Sequence, residues 1–109
     1  MHELGIAVEV VGAVSARAGK NRVKRVIVQI GALCAVLPDA LRFCFDLAAE
    51  GTIVQGAKLE ILLGPGRARC RACSSELELF RPFGSCPCGG TELDFLTGDE
   101  LRVCAMELE

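Results

Sequence analysis

Four cysteines arranged as two close pairs are the residues with most chemistry to offer: Cys70-Arg71-Ala72-Cys73, then Cys86-Pro87-Cys88. Zinc in a closed structural site takes four soft ligands in a tetrahedron, and paired cysteines on tight turns supply its corners. By residue type an iron–sulfur centre is served by four thiolates too. A dithiol redox pair is the other competitor. Such a pair normally lies between a strand and a helix, whereas Gly64-Pro65-Gly66 precedes Cys70 and no helical pattern follows Cys73. The second pair is unusually tight, with only Pro87 between the sulfurs, and Pro87 withholds a backbone hydrogen that such turns aim at sulfur. Gly89 and Gly90 can absorb the strain through a positive dihedral. The expected zinc ligands are Cys70, Cys73, Cys86 and Cys88.

A second constellation is Met1-His2-Glu3. The α-amine of Met1 and the imidazole of His2, the one histidine of the chain, can close chelate rings through the backbone nitrogen between them. Such a nitrogen-rich set suits nickel or copper in square-planar form. Cys34, Cys44 and Cys104 stand singly among apolar residues and are read as small buried hydrophobes. Glu50, Glu60, Glu76, Glu78 and Glu92 are read as solvated faces. No enzyme is expected, because the only histidine is terminal and the cysteine group is ligand-saturated. A zinc-ribbon adaptor that recognises protein or nucleic acid without carrying nickel is the alternative function.

Positioning these groups falls to a chain of 109 residues, 51% apolar and 24% charged, with formal net charge −2. That length allows one ordinary domain, or a smaller core with a staple-held module. No basic cluster exceeds Asn21–Arg25, so nucleic acid is not an expected partner. Apolar stretches are broken before the roughly 20 residues of a membrane span. The odd count of seven cysteines fits thiolates in a reducing compartment, so a cytoplasmic location is expected.

From Glu3 to about Gly19, Leu4, Val8 and Val11 with Ile6, Val10 and Val14 follow a helical spacing, and Gly19 and Asn21 are stop signals. Arg22 to Ala32 alternates as a strand. Pro38 and Asp39 open a helix lined by Leu41, Cys44, Phe45 and Ala48, ending at Gly51. Lys58 to Leu63 is a strand with Leu59, Ile61 and Leu63 inward, stopped by Gly64-Pro65-Gly66. After the turn Thr97-Gly98-Asp99, Leu101 to Leu108 is a strand apolar on both faces and hence expected inside the main sheet. Between them, Glu76 to Arg81 and Thr91 to Phe95 are short strands flanking the cysteines. Leu77, Leu79, Phe80, Leu93 and Phe95 are too few to hold that module together without metal. The expected fold is α/β: a small mixed three-stranded sheet with two helices, and an inserted zinc-ribbon-like cysteine domain. Residues 1–66 and 97–109 would form the first part and 67–96 the second. A helical crossover between the first two strands implies parallel neighbours.

Met1-His2-Glu3-Leu4, Ile30-Gly31-Ala32-Leu33, Pro38-Asp39-Ala40-Leu41-Arg42-Phe43, Gly56-Ala57-Lys58-Leu59, the paired cysteines and Gly98-Asp99-Glu100-Leu101 together resemble the HypA/HybF family of hydrogenase maturation nickel metallochaperones. The resemblance covers essentially the whole chain. It implies nickel as transferred cargo on Met1, His2 and Glu3, the last through its backbone nitrogen, and structural zinc on Cys70, Cys73, Cys86 and Cys88. It also implies a nickel-handling maturation GTPase and the large subunit of nickel–iron hydrogenase as partners, with urease maturation served by some members. The one-residue spacing of Cys86 and Cys88 departs from the family's two. Histidines common near the family's zinc cysteines are missing.

Overall fold

The computed structural model describes residues 2–81, 84–98 and 100–109. In chain order its elements are α1 (Glu3–Ala18), β1 (Val23–Gly31), a 3-10 turn (Ala32–Cys34), α2 (Pro38–Ala49), β2 (Lys58–Gly64), β3 (Gly66–Cys70), β4 (Glu76–Leu79), β5 (Leu93–Thr97) and β6 (Leu101–Leu108). They fall into two compact units. One comprises Met1–Gln29, Val36–Leu62 and Arg102–Glu109; the other comprises Ile30–Ala35 and Leu63–Leu101.

In the first unit α1 and α2 pack together, and the sheet runs in the order β2-β1-β6. The N–H of Glu109 donates to the carbonyl of Arg22, and Arg102 reaches Gln29 further along, so β6 runs antiparallel to β1. Along β2 the partners instead rise together, Arg22 with the Gln55 carbonyl and Arg25 with Glu60, as parallel neighbours joined by a crossover require. The sheet is therefore mixed. Val23, Val26 and Val28 of β1 are buried, and so are Leu41, Phe45 and Ala49 of α2.

Helix boundaries follow local chemistry. Gly19 ends α1 at φ 66°, its N–H donating to the Ser15 carbonyl, and the Asn21 side chain caps the Ala18 carbonyl. Pro38 opens α2 behind the extended Leu37. Three expectations need correction. The buried stripe of α1 is Glu3, Ala7, Val10, Val11, Val14 and Ala18, whereas Leu4 and Val8 are exposed. Strand β6 lies at the sheet edge rather than inside it, and none of its residues is fully buried. Leu63, expected inward, is exposed.

The second unit holds an antiparallel sheet of order β4-β3-β5, with Ala68 opposite Leu77 on one side and Phe95 on the other. Strand β2 ends at Gly64, as expected from Gly64-Pro65-Gly66, but a further strand not expected from the sequence, β3, starts immediately after Pro65. Arg67, Arg69 and Arg71 alternate with the buried Ala68 and Cys70 and pair with Glu76 and Glu78 of β4, Asp94 of β5 and Glu92 just before it. These pairs are exposed, so solvent screens them and they contribute little. The buried apolar residues described in this unit are only Ile30, Ala68, Cys70, Leu79 and Cys86, while Phe80 and Phe95 lie exposed. Glycine is required where chains cross: a Cβ on Gly31 would strike the Gly98 carbonyl, one on Gly98 would strike the Gly66 Cα, and one on Gly66 would strike Leu33.

Candidate metal centre

Strand β3 delivers Cys70 at its last residue, and the turn beyond it folds Cys73 back. Cys70 donates its N–H to the Ser75 carbonyl, and the Ser74 N–H donates to the Cys70 carbonyl at 2.8 Å. Ser74 takes φ 64° to make this possible. The second pair sits on a turn of its own. Gly89 N–H donates to the Cys86 carbonyl, Cys86 N–H donates to the Gly90 carbonyl, and Gly89 adopts φ 96°.

These two turns bring all four sulfurs within 4.8 Å of one another. The Sγ atoms of Cys70 and Cys88 are 3.7 Å apart, and those of Cys73 and Cys86 are 3.6 Å apart. A tetrahedron with metal–sulfur bonds of about 2.3 Å has edges of about 3.8 Å, so the donor set fits a four-sulfur ion in both spacing and type. The tight Cys86-Pro87-Cys88 spacing is no obstacle. The hydrogen that Pro87 cannot give is replaced by the Gly90 N–H, 3.4 Å from the Cys88 sulfur, and by the Cys88 N–H on the Cys86 sulfur.

Gathering four thiols so closely splits their acidity. Hydrogen bonds from the Ser75 side chain and backbone, joined by the Cys86 and Cys88 thiols, lower Cys73 to about 6. The Cys88 N–H favours the Cys86 thiolate, but burial and the neighbouring sulfurs outweigh it and push Cys86 up to about 12. One negative charge is easily held; four are not without a cation. Metal uptake here must therefore release protons, and affinity must fall as pH falls.

Sequence reasoning gave Gly90 a turning role through a positive dihedral, which only Gly89 of the two adopts, and missed its close approach to sulfur. A Cβ on Gly90 would lie 2.8 Å from the Cys70 sulfur and 3.1 Å from the Ala72 Cβ, so the Gly-Gly after Cys88 serves close approach as well as turning. Gly90→Ala is expected to displace a ligand and weaken metal binding by about tenfold or more, given overpacking costs of about 1–3 kcal/mol. Competition with a chromophoric chelator measures this, and unchanged affinity would show that the sulfurs tolerate the added methyl.

At the other predicted site, Met1 lies outside the described residues. His2 is exposed and precedes α1 as its N-cap, with no side-chain capping bond. Its carbonyl starts the helix by accepting from Ile6 N–H. Glu3 is buried, and its Oε2 accepts the N–H of Leu37 at 3.1 Å. The Leu37 N–H first, and Glu3's own N–H second, hold this carboxyl below the usual glutamate value. Main-chain nitrogens in a first turn have no helical acceptor to lose. Cys34 and Cys44 are half-buried and Cys104 is exposed, so the last is not the buried hydrophobe expected.

A two-helix mixed sheet and a second unit closed on four cysteines define a small two-unit metal-binding protein. Comparison with known proteins identifies its kind. The family model described as hydrogenase/urease nickel incorporation, metallochaperone, hypA matches residues 1–108. The hydrogenase maturation factor HypA of Trichormus variabilis is 49% identical over 109 residues, covering 100% of this chain and 96% of the relative. HypA 2 of Bradyrhizobium diazoefficiens is 43% identical over 113 residues, covering the whole of both. The solution structure of the nickel metallochaperone HypA from Helicobacter pylori shares the fold, with TM-score 0.67 at 23% identity over 99% of this chain and 97% of that one. The chain belongs to the HypA family, whose members are nickel metallochaperones of hydrogenase maturation and not catalysts.

Proposed function

We propose that this chain carries nickel on its Met1-His2-Glu3 end, holds zinc on Cys70, Cys73, Cys86 and Cys88, and hands the nickel to the hydrogenase large subunit together with a maturation GTPase. Residues 1–66 and 97–109 would serve nickel and 67–96 zinc. The observation that carries this division of labour is the contrast in donors: four sulfurs at tetrahedral spacing in one unit, and an exposed imidazole ahead of the first-turn nitrogens of a helix in the other. Zinc, with no geometric preference from its d-electrons, is satisfied by the thiolates, and nickel favours the planar nitrogen field.

In this scheme the cysteine turns bind and shield one ion permanently, while His2 presents the other where a recipient can reach it. The GTPase and large subunit follow from family membership, as does service to urease maturation. Cytoplasmic residence fits the carrier role, and no helix described is long and apolar enough to cross a membrane. The test is a metal titration read by X-ray absorption at both edges. One zinc with four sulfur neighbours and one nickel with only light-atom neighbours are expected per chain. Three sulfurs and one light atom on zinc would remove Cys86 or Cys88 from the site, and sulfur around nickel would overturn the assignment of two separate sites.

A further inference from the structure

Glu3 is the only charged residue found buried among the described residues, at 8% exposure. Burying a carboxylate is costly unless hydrogen bonds replace its water, so what it bonds to says what it is for. The bond runs to the Leu37 N–H, a backbone donor far away in sequence. Leu37 is the residue on which α2 starts: it is extended, at φ −88° and ψ 114°, Pro38 follows as the first helical residue, and the Leu37 carbonyl accepts the N–H of Leu41. No side chain of its own caps α2. The Glu3 carboxylate also receives Glu3's own N–H, which folds the side chain back over the first turn of α1.

We infer that the Glu3 carboxylate is not a metal ligand but a latch, tying the first turn of α1 to the start of α2 and thereby fixing the backbone nitrogen of Glu3 and the direction of His2 for nickel. This rests on the nickel site proposed above. The terminal residues of a chain fray unless something ties them down, and a chelate built from consecutive residues binds tightly only if those residues are already in place. Helix propensity does not do this at the first turn, where the N–H groups have no ladder acceptors of their own. The bond to Leu37 does, one residue from the imidazole. Glu3 is thus a positioning residue whose side chain and main chain have separate tasks.

Variants at position 3 separate latch from ligand. Glu3→Gln keeps a carbonyl oxygen for Leu37, whereas Glu3→Ala keeps none. Zinc-loaded native, Glu3→Gln and Glu3→Ala proteins would be titrated with nickel(II) alone, with amide exchange at Leu37 followed in parallel. The expected result is near-native affinity and slow Leu37 exchange in Glu3→Gln. In Glu3→Ala, nickel affinity should fall by about 10–100-fold, the scale seen when an outer partner of a metal ligand is lost, with faster Leu37 exchange. Circular dichroism and zinc content verify that each variant is folded. If Glu3→Gln lost nickel as fully as Glu3→Ala while Leu37 stayed protected, the carboxylate would be a ligand and the latch would be wrong. Equal nickel affinity in all three proteins would also overturn it. A native protein that bound no nickel would instead overturn the carrier reading, an outcome distinct from both.

Discussion

Replacing His2 with alanine, or adding a single residue before Met1, is expected to abolish tight nickel binding while leaving one zinc per chain. The proposed site joins an α-amine, an imidazole and backbone nitrogens through consecutive residues. Its strength comes from linkage: once one donor holds the ion, the rest bind at high effective concentration. Removing the imidazole or moving the amine out of register loses that gain, on the order of 10²–10⁴-fold. The zinc is untouched because its donors lie in the other unit. The α-amine and each backbone nitrogen of the chelate must shed a proton before bonding, so affinity falls as pH falls. Calorimetry on the native, His2→Ala and N-terminally extended proteins, each zinc-loaded, measures all of this. An extended protein that bound nickel as tightly as the native one would remove the terminal amine from the site.

Chelating the zinc is expected to unfold the segment from Cys70 to Thr97 and leave α1, α2 and the valine-rich part of β1 protected. In comparable peptides zinc contributes roughly 10–16 kcal/mol, and little else holds this segment. Two of the five buried apolar residues described in its unit are cysteines, and Phe80 and Phe95, which might have formed a core, face solvent. The arginine ladder along β3 is exposed and worth little. The other unit buries Phe45, Leu41 and six valines of α1 and β1 besides, so it has a core independent of sulfur. Residue-resolved amide exchange before and after chelation gives the answer, and a module equally protected without metal would contradict the account.

The two helices were legible because their ends carry strong local chemistry: Gly19 and Asn21 behind α1, Pro38 ahead of α2. Which face of α1 is buried was not legible. Leu4 and Val8 are as apolar as Val10 and Val14, and periodicity alone cannot choose between overlapping stripes when the helix is apolar nearly all round. Strand β3 was hidden for a different reason. Its inward positions are Gly66, Ala68 and Cys70, too small to register as a hydrophobic run, and its outward positions are arginines whose acidic partners lie on other strands. Strand β6 misled by composition, since apolar groups on both faces suggest a central strand, yet it lies at an edge. The four cysteines were plain from type and spacing. What made Cys86 and Cys88 compatible was not, because it depends on the Gly89 dihedral and on Gly90 leaving room beside the Cys70 sulfur. The hold of Glu3 on Leu37 joins the start of α1 to the start of α2, 34 residues apart in sequence, and no local pattern encodes it.

The glycine crossing at Gly31, Gly66 and Gly98 bears on how far the cysteine module is separable from the rest of its gene. Leu33 N–H donates to the Gly98 carbonyl and Gly31 N–H to the Glu100 carbonyl, both at 2.8 Å, and Leu33 packs against Gly66 and Gly98. A peptide excised as residues 63–101 would carry all four sulfurs of the cluster but lack Gly31 and Leu33, leaving two main-chain acceptors and an apolar seat open at its base. The portable unit is discontinuous, so grafting it onto another host means transplanting residues 30–35 as a companion strand end, or supplying a host loop that offers the same two N–H groups and one leucine-sized plug.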